Sequence, residues 1–291
     1  MPPKLYNLRV FAAGPNGGNP TSVVLDAESM SDAEMKAVAA DHGHESGFVL
    51  PAPEGSGCDF KFVFWVPEHE MEMCGHATVG AIWLLEKLNR LPTTRHADGH
   101  VRVLTKSGIV ETRVSETLSR EKWIEVSQPR GVVQKLTDVD SLEEIASILN
   151  ISTDDLASMP IQNSKTSRVK TLIPLKSVAL LNALKPQFHR VKQLCEVIDS
   201  TGLYPYAVLD NEKQIICARQ FPKSSGYNED PATGIAAAAL AYGLLENGLV
   251  KYADQYITVR QGWEMGCPSE ICVRFQEDTG GCWIGGNAIE V

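Results

Sequence analysis

The sequence predicts an α+β protein made of two similar halves, and three observations support this. An order of strands, helix, strands, helix and three closing strands in the first half recurs in the second. The helix starts near Ser31 and Gly75 recur near His189 and Thr233 at one common offset. The later helix of each half opens on small residues, in Cys74-Gly75-His76-Ala77-Thr78 and in Asp230-Pro231-Ala232-Thr233-Gly234. An internal duplication is the simplest source of such a repeat. A chain of 291 residues suits two domains or one large one, and it can bury a core without disulfides or a structural metal.

Taken in order, Lys4 to Ala13 is strand-like and runs into the turn Gly14 to Pro20, and Thr21 to Leu25 is β-branched and apolar. Ser31 and Glu34 form a capping box before a helix that Gly43 ends. Strands follow over Gly47 to Leu50 and Asp59 to Val66, then a helix from Cys74 to Asn89. His100 to Lys106, Ile109 to Ser115 and Lys122 to Val126 close the first half as strands, the first two joined by a turn at Ser107-Gly108. A helix over Asp138 to Asn150, with a capping box at Ser141 and Glu144, lies near the junction. The second half predicts a helix from His189 to Thr201 ended by Gly202, then strands over Tyr204 to Leu209 and Gln214 to Phe221. A polar loop, a helix from Thr233 to Asn247 and strands over Tyr256 to Gln261, Glu270 to Phe275 and Cys282 to Glu290 complete it.

Lys plus Arg number 27 against 36 Asp plus Glu, a formal net charge of −9. Nucleic acid and anionic membranes both need a basic footprint, so neither is an expected partner. The longest apolar run, Ile235 to Leu245, is shorter than the roughly 20 residues of a membrane helix. The first residues lack a signal-peptide core, which reads as a cytoplasmic protein. Seven cysteines, an odd number without Cys-x-x-Cys spacing, suggest neither a disulfide scaffold nor a zinc ribbon.

Helix N-termini present N–H groups and a partial positive charge, so the two small-residue helix starts are candidate anion sites. If the two halves face each other, both would point into one cleft suited to a carboxylate and an enolate-like intermediate. Close helix packing is the plainer explanation of the small residues. Glu45, at a strand edge, suits a general base if it faces such a cleft. By position alone, Glu45 reads as a solvated edge residue, His76 as a first-turn histidine and Asp230 as a helix cap. His42, His44 and Glu45 have no further ligand at useful spacing, so no metal is expected. The turn Gly14 to Asn19 does not match a dinucleotide motif, and no nicotinamide cofactor is expected.

Six motifs in order resemble the phenazine-biosynthesis PhzF-like family, which shares the diaminopimelate-epimerase fold. They are Gly18-Asn19-Pro20 with Val23-Val24-Leu25, His44 to Val49, Met73 to Thr78, Glu229 to Gly234, Gln261-Gly262 with Met265-Gly266, and Pro268-Ser269 with Gly285-Gly286. The resemblance implies two open barrel-like sheets, each wrapped around a central helix, with the active cleft between halves. The halves are expected at 1–128 and 129–279, with the closing strand, about 280–291, returning to the first.

The resemblance also implies cofactor-free isomerisation of a small carboxylated metabolite, an amino or hydroxy acid. Carried over by motif, Glu45 is the proton shuttle, and His76 and Asp230 orient substrate and assist the relay. Asn19, Gly75, Ala77, Thr233 and Gly234 fall among the substrate-binding positions, the two glycines supplying close backbone N–H contacts. Family members are often homodimers, which adds a second copy as a partner. Ile235 stands where the family usually has a serine, and His44 where a serine often precedes the glutamate. The alternatives are a non-catalytic metabolite- or protein-binding member of the same fold, or a related epimerase or lyase. Cys74 lies near the first of the two cysteines of related epimerases, but Asp230 to Gly234 contains none. Cys74 therefore reads as a packed thiol.

Overall fold

The computed structural model describes residues 2–92, 96, 98–116, 122–251 and 255–291. Contacts divide it into two units, Met1–Ser127 with Ile284–Val291, and Gln128–Trp283.

The first unit contains β1 (Lys4–Val10), β2 (Asn19–Leu25), α1 (Asp32–His42), β3 (Ser46–Pro51), β4 (Phe60–Trp65), β5 (Glu70–Met71), α2 (Gly75–Lys87), β6 (Val101–Thr105), β7 (Gly108–Glu116) and β8 (Lys122–Gln128). Parallel neighbours in a sheet need a crossover, and here each crossover is helical. β2 and β3 run parallel across α1, and β4 and β6 run parallel across α2. The joins β1–β2, β3–β4, β6–β7 and β7–β8 are antiparallel.

The second unit contains β9 (Val132–Lys135), α3 (Val139–Leu149), β10 (Gln162–Lys165), β11 (Val169–Pro174), α4 (Val178–Ala183), α5 (Phe188–Val197), β12 (Gly202–Asp210), β13 (Ile215–Ala218), β14 (Phe221–Pro222), α6 (Gly234–Glu246), β15 (Ile257–Gln261) and β16 (Ser269–Phe275); β17 (Cys282–Gly286) begins in it and ends in the first unit, to which β18 (Ala288–Glu290) belongs. β9–β10–β11 is antiparallel, β11–β12 parallel, β12–β13 antiparallel, β13–β15 parallel and β15–β16 antiparallel. The order β18–β1–β2–β3–β4–β6–β7 has the same succession of directions. The repeat legible in the sequence is thus a repeat of topology.

Each sheet curls around its second crossover helix. α2 is buried from Gly75 to Leu85 except at Trp83, and α6 from Gly234 to Leu244. Such helices are apolar all round, because no face meets water. Gly80 lets α2 approach β1, since a Cβ there would lie 3.0 Å from Val10 Cγ2. At the far end of α6, Gln162 and Asn247 exchange amide hydrogen bonds of 3.0 and 3.3 Å, tying the helix C-terminus to β10. Other helices cover the outer faces. Met35 of α1 packs on Val24 and Phe48, and α3, α4 and α5 bury Ile145, Leu181 and Leu194 against Ile173 and Leu203.

Ser31 and Glu34 form the predicted capping box, and Gly43 ends α1 with φ 70°. The cap of α3 differs from expectation: Asp138 accepts from Ser141 N at 2.9 Å, and Glu144 instead pairs with Arg190. α5 stops at Val197 rather than Thr201, and Gly202 opens β12. The expected strand from Gln214 to Phe221 is broken between β13 and β14, where Arg219 turns to Glu229. The closing segment is two strands, because Asn287 interrupts it and accepts from Phe11 N. β5, β9, β10, β11 and α4 were not anticipated. No described helix is long and apolar enough to cross a membrane.

Candidate active site

Glu45 precedes β3, whose neighbour β2 supplies Thr21; the Thr21 hydroxyl donates to the Glu45 carbonyl at 2.9 Å. A ring nitrogen of His44 lies 3.2 Å from the same carbonyl. With its backbone fixed, Glu45 extends its carboxylate to the start of α2. There His76 Nδ1 lies 3.0 Å from Oε2, and Cys74 Sγ donates to the same oxygen at 3.2 Å. Cys74 Sγ and His76 Nδ1 are 3.4 Å apart. Cys74 is the N-cap of α2 without a side-chain capping bond, so its sulfur serves the carboxylate. All three residues are buried.

Burial pushes the Cys74 thiol up to about 11, and the Glu45 charge adds to the shift against smaller pulls from His76 and the Ala77 backbone. Burial also opposes a charged His76, but the acidic groups of Cys74 and Glu45 outweigh it and hold the imidazole well above its ordinary value. At neutral pH the raised Cys74 thiol stays protonated, and the raised imidazole favours the charged form of His76. Burial lowers His44 below its ordinary value, more than its contact with Glu45 raises it.

In the second unit, Asp230 is bridged to Gln220, its N–H donating to the Gln220 carbonyl at 3.1 Å. Thr233, not Asp230, is the N-cap of α6, and its hydroxyl donates to Asp230 Oδ2. One side chain organises this turn. Gln261 Oε1 accepts from the Tyr204 hydroxyl at 2.9 Å and from Thr233 N at 3.3 Å. Its Nε2 donates to the Asp230 carbonyl at 2.6 Å and to Thr233 Oγ1 at 3.2 Å. All four hydrogen-bonding valences of a buried amide are thereby used. Gly234 is the first residue of α6, and the adjoining Ile235 is buried.

The structure therefore brings Glu45 and His76 together in one unit, and Asp230, Thr233 and Gly234 together in the other. Gly75 opens α2, and Ala77 lies behind it against Gly47 of β3. Asn19 is buried at the start of β2 and shares a strand face with Thr21. The Cys74 reading is corrected: its thiol is a hydrogen-bonding partner of Glu45, not simply a packed group. A sequence signal existed, since Cys74 and His76 flank Gly75 at a helix start, but only the fold places Glu45 beside them. The sequence paired Glu45 with His42 and His44 in weighing a metal. Among the described residues, the sets whose donor atoms lie within 4.8 Å of one another are instead Glu45, Cys74 and His76, and the surface group Asp98, His100 and Glu111. In the surface set, Arg102 is already paired with Asp98 and Glu111.

A buried crossover helix thus lies inside each of two sheets of the same topology, and an acid–base cluster sits at the start of one of these helices. Residues 8–291 match the family model described as phenazine biosynthesis-like protein. The chain belongs to this PhzC–PhzF family and is an isomerase-type enzyme. An uncharacterised isomerase from Clostridium acetobutylicum is 30% identical over 295 residues, 99% of this chain and 95% of that protein. A phenazine biosynthesis protein of the PhzF family from Bacillus anthracis superposes with a TM-score of 0.85 at 25% identity, covering 100% of this chain and 98% of that one. A predicted epimerase from Pseudomonas aeruginosa gives 0.83 at 25% identity, covering 99% and 96%.

Proposed function

We propose that the enzyme isomerises a small carboxylated metabolite, an amino or hydroxy acid, by cofactor-independent proton transfer through Glu45. The observation that carries this reading is the double hydrogen bond on Glu45 Oε2, from His76 Nδ1 and Cys74 Sγ. A carboxylate held in this way is fixed in one orientation beside an imidazole that can give up and regain a proton. Glu45 takes a proton from one carbon and returns it to another carbon of the same molecule. No atoms are gained or lost, and no electron acceptor is needed.

His76 stabilises the carboxylate form of Glu45 and relays its proton. Asp230, Thr233 and Gly234 are proposed to contact substrate, as are Asn19, Gly75 and Ala77, with helix N–H groups suited to a carboxylate. Seven free cysteines support a cytoplasmic setting, and a homodimer remains part of the reading.

The test is deuterium uptake from heavy water into a panel of small amino and hydroxy acids. Wild type should label at least one acid, and Glu45→Gln should reduce that labelling by about 100-fold or more while remaining folded. Undiminished labelling in Glu45→Gln would overturn the assignment.

A further inference from the structure

Glu45 Oε2, His76 Nδ1 and Cys74 Sγ form a triangle with sides of 3.0, 3.2 and 3.4 Å. These are one carboxylate oxygen, one imidazole nitrogen and one sulfur, the three donor types that zinc accepts. We propose that this triangle is a binding site for a borderline-soft divalent cation of the zinc type, and that occupancy inhibits the enzyme. The inhibition rests on Glu45 being the proton shuttle; the binding does not.

Tetrahedral zinc, with bonds of about 2.0–2.3 Å, sets neighbouring ligand atoms roughly 3.3–3.6 Å apart. The observed sides are only a few tenths of an ångström shorter, a change that small side-chain rotations supply. Three protein donors is also the number that zinc sites with a remaining water or substrate position provide.

Charge favours the exchange. A bound dication would be balanced by the Glu45 carboxylate and a Cys74 thiolate, with His76 as a neutral imidazole. Binding releases the Cys74 Sγ proton, and any proton on His76 Nδ1, to solvent and forms three metal–ligand bonds. The metal-bound site therefore carries no uncompensated charge, which its burial would penalise. The thiolate selects against magnesium and calcium, which prefer oxygen donors throughout. The Thr21 hydroxyl, through the Glu45 carbonyl, fixes the backbone that carries the oxygen ligand. Once the metal is bound, the protons that the relay uses are gone and Glu45 Oε2 is occupied.

The experiment titrates the full-length protein with Co²⁺, a spectroscopic stand-in for zinc. It follows the near-ultraviolet sulfur-to-cobalt absorption and then displaces the ion with Zn²⁺. One equivalent should bind. The absorption should vanish in Cys74→Ser and weaken in His76→Asn by more than the roughly 10–100-fold in affinity that loss of an outer-shell partner costs. Cys267→Ser, which removes a thiol elsewhere, should leave it intact. No sulfur-to-cobalt absorption, or one that survives Cys74→Ser, overturns the site.

Deuterium exchange is read in the same samples and separates the two proposals. Exchange that depends on Glu45 without metal binding leaves the proton shuttle standing and removes the metal site. Metal binding through Cys74 in a protein that never exchanges keeps the site and removes the shuttle. Exchange that continues in metal-saturated protein overturns the inhibition.

Discussion

His76 Nδ1 stands 3.0 Å from Glu45 Oε2, and both side chains are buried. A carboxylate in such a place needs a partner that stays charged, and the raised imidazole is that partner. His76→Asn keeps a short polar side chain but removes the charge and the ring. It should lower kcat by roughly 100-fold or more, in the range of lost acid–base catalysis, and change KM little. Cys74→Ala removes the weaker S–H donor and should cost less, about 10-fold. Steady-state kinetics on the acid found by deuterium exchange measures both. A larger loss in Cys74→Ala than in His76→Asn would place the sulfur, not the imidazole, at the centre of the relay.

Gln261 holds the other signature together. Replacing it with Leu leaves the buried Tyr204 hydroxyl and Thr233 N–H without their acceptor, at about 1–3 kcal/mol for each unsatisfied group. Chemical denaturation should show a loss of roughly 2–5 kcal/mol. Gln261→Glu retains the acceptor but loses the amide donor to the Asp230 carbonyl and to Thr233 Oγ1. It also sets a carboxylate near Asp230, so at neutral pH it should be no milder than Leu.

Much of this architecture is legible in the sequence where physical signals are local. The capping box at Ser31 and Glu34 and the glycine at 43 mark α1 because each acts within one helical turn. The apolar runs of α2 and α6 show because those helices meet no water. What stays hidden is set by distant partners. β10 reads Gln-Asn-Ser-Lys, a polar string, yet Gln162 is buried because it pairs with Asn247, and Ser164 because its hydroxyl donates to the Ala239 carbonyl. The break between β13 and β14 is set by the Arg219–Glu229 pairing across the following loop. The motifs marked Glu45 and His76 individually, whereas the place of Cys74 on the Glu45 carboxylate follows only from the fold.

Helix placement inside the sheets depends on glycine. A Cβ at Gly243 would lie 2.3 Å from Leu172 Cδ1, whereas one at Gly80 would lie 3.0 Å from Val10 Cγ2. Alanine in a helix interior gains about 0.5–1 kcal/mol over glycine, and overpacking costs about 1–3 kcal/mol. Gly243→Ala and Gly80→Ala should therefore both be destabilising, the first through one clash with the buried Leu172 side chain and the second through Val10, Leu8 and Thr21, which all lie within 3.4 Å of the added methyl. Adding Leu172→Ala to Gly243→Ala should cost less than the single effects sum to, because the two share one space. Thermal unfolding of the four variants measures this.

Arg219 and Glu229 form a largely buried two-pronged pair at 2.7 and 2.8 Å, and Arg219 also donates to the carbonyls of Leu181 and Leu184. Arg219→Met would strand the Glu229 carboxylate beside two carbonyls that have lost a donor. A loss of about 3–5 kcal/mol is expected on denaturation, with a smaller one for Glu229→Gln, which still accepts one bond. The double variant Arg219→Met/Glu229→Gln should recover part of the difference, because no uncompensated buried charge is left.

Alkaline stability tests the buried thiols. Burial raises Cys195 to about 11 and Cys282 to about 12, while an unfolded cysteine ionises near about 8.5. Between those values the unfolded chain releases protons that the folded chain keeps, so unfolding becomes easier as pH rises. Each thiol adds a slope of up to about 1.4 kcal/mol per pH unit, beginning near the unfolded value and ending near the folded one. Urea denaturation under reducing conditions at about pH 8, 9 and 10 should show this decline. Cys195→Ala should make it shallower by up to one such increment, even though the variant is less stable at pH 8 from lost packing. An unchanged slope would mean that Cys195 ionises equally in both states, contrary to its burial.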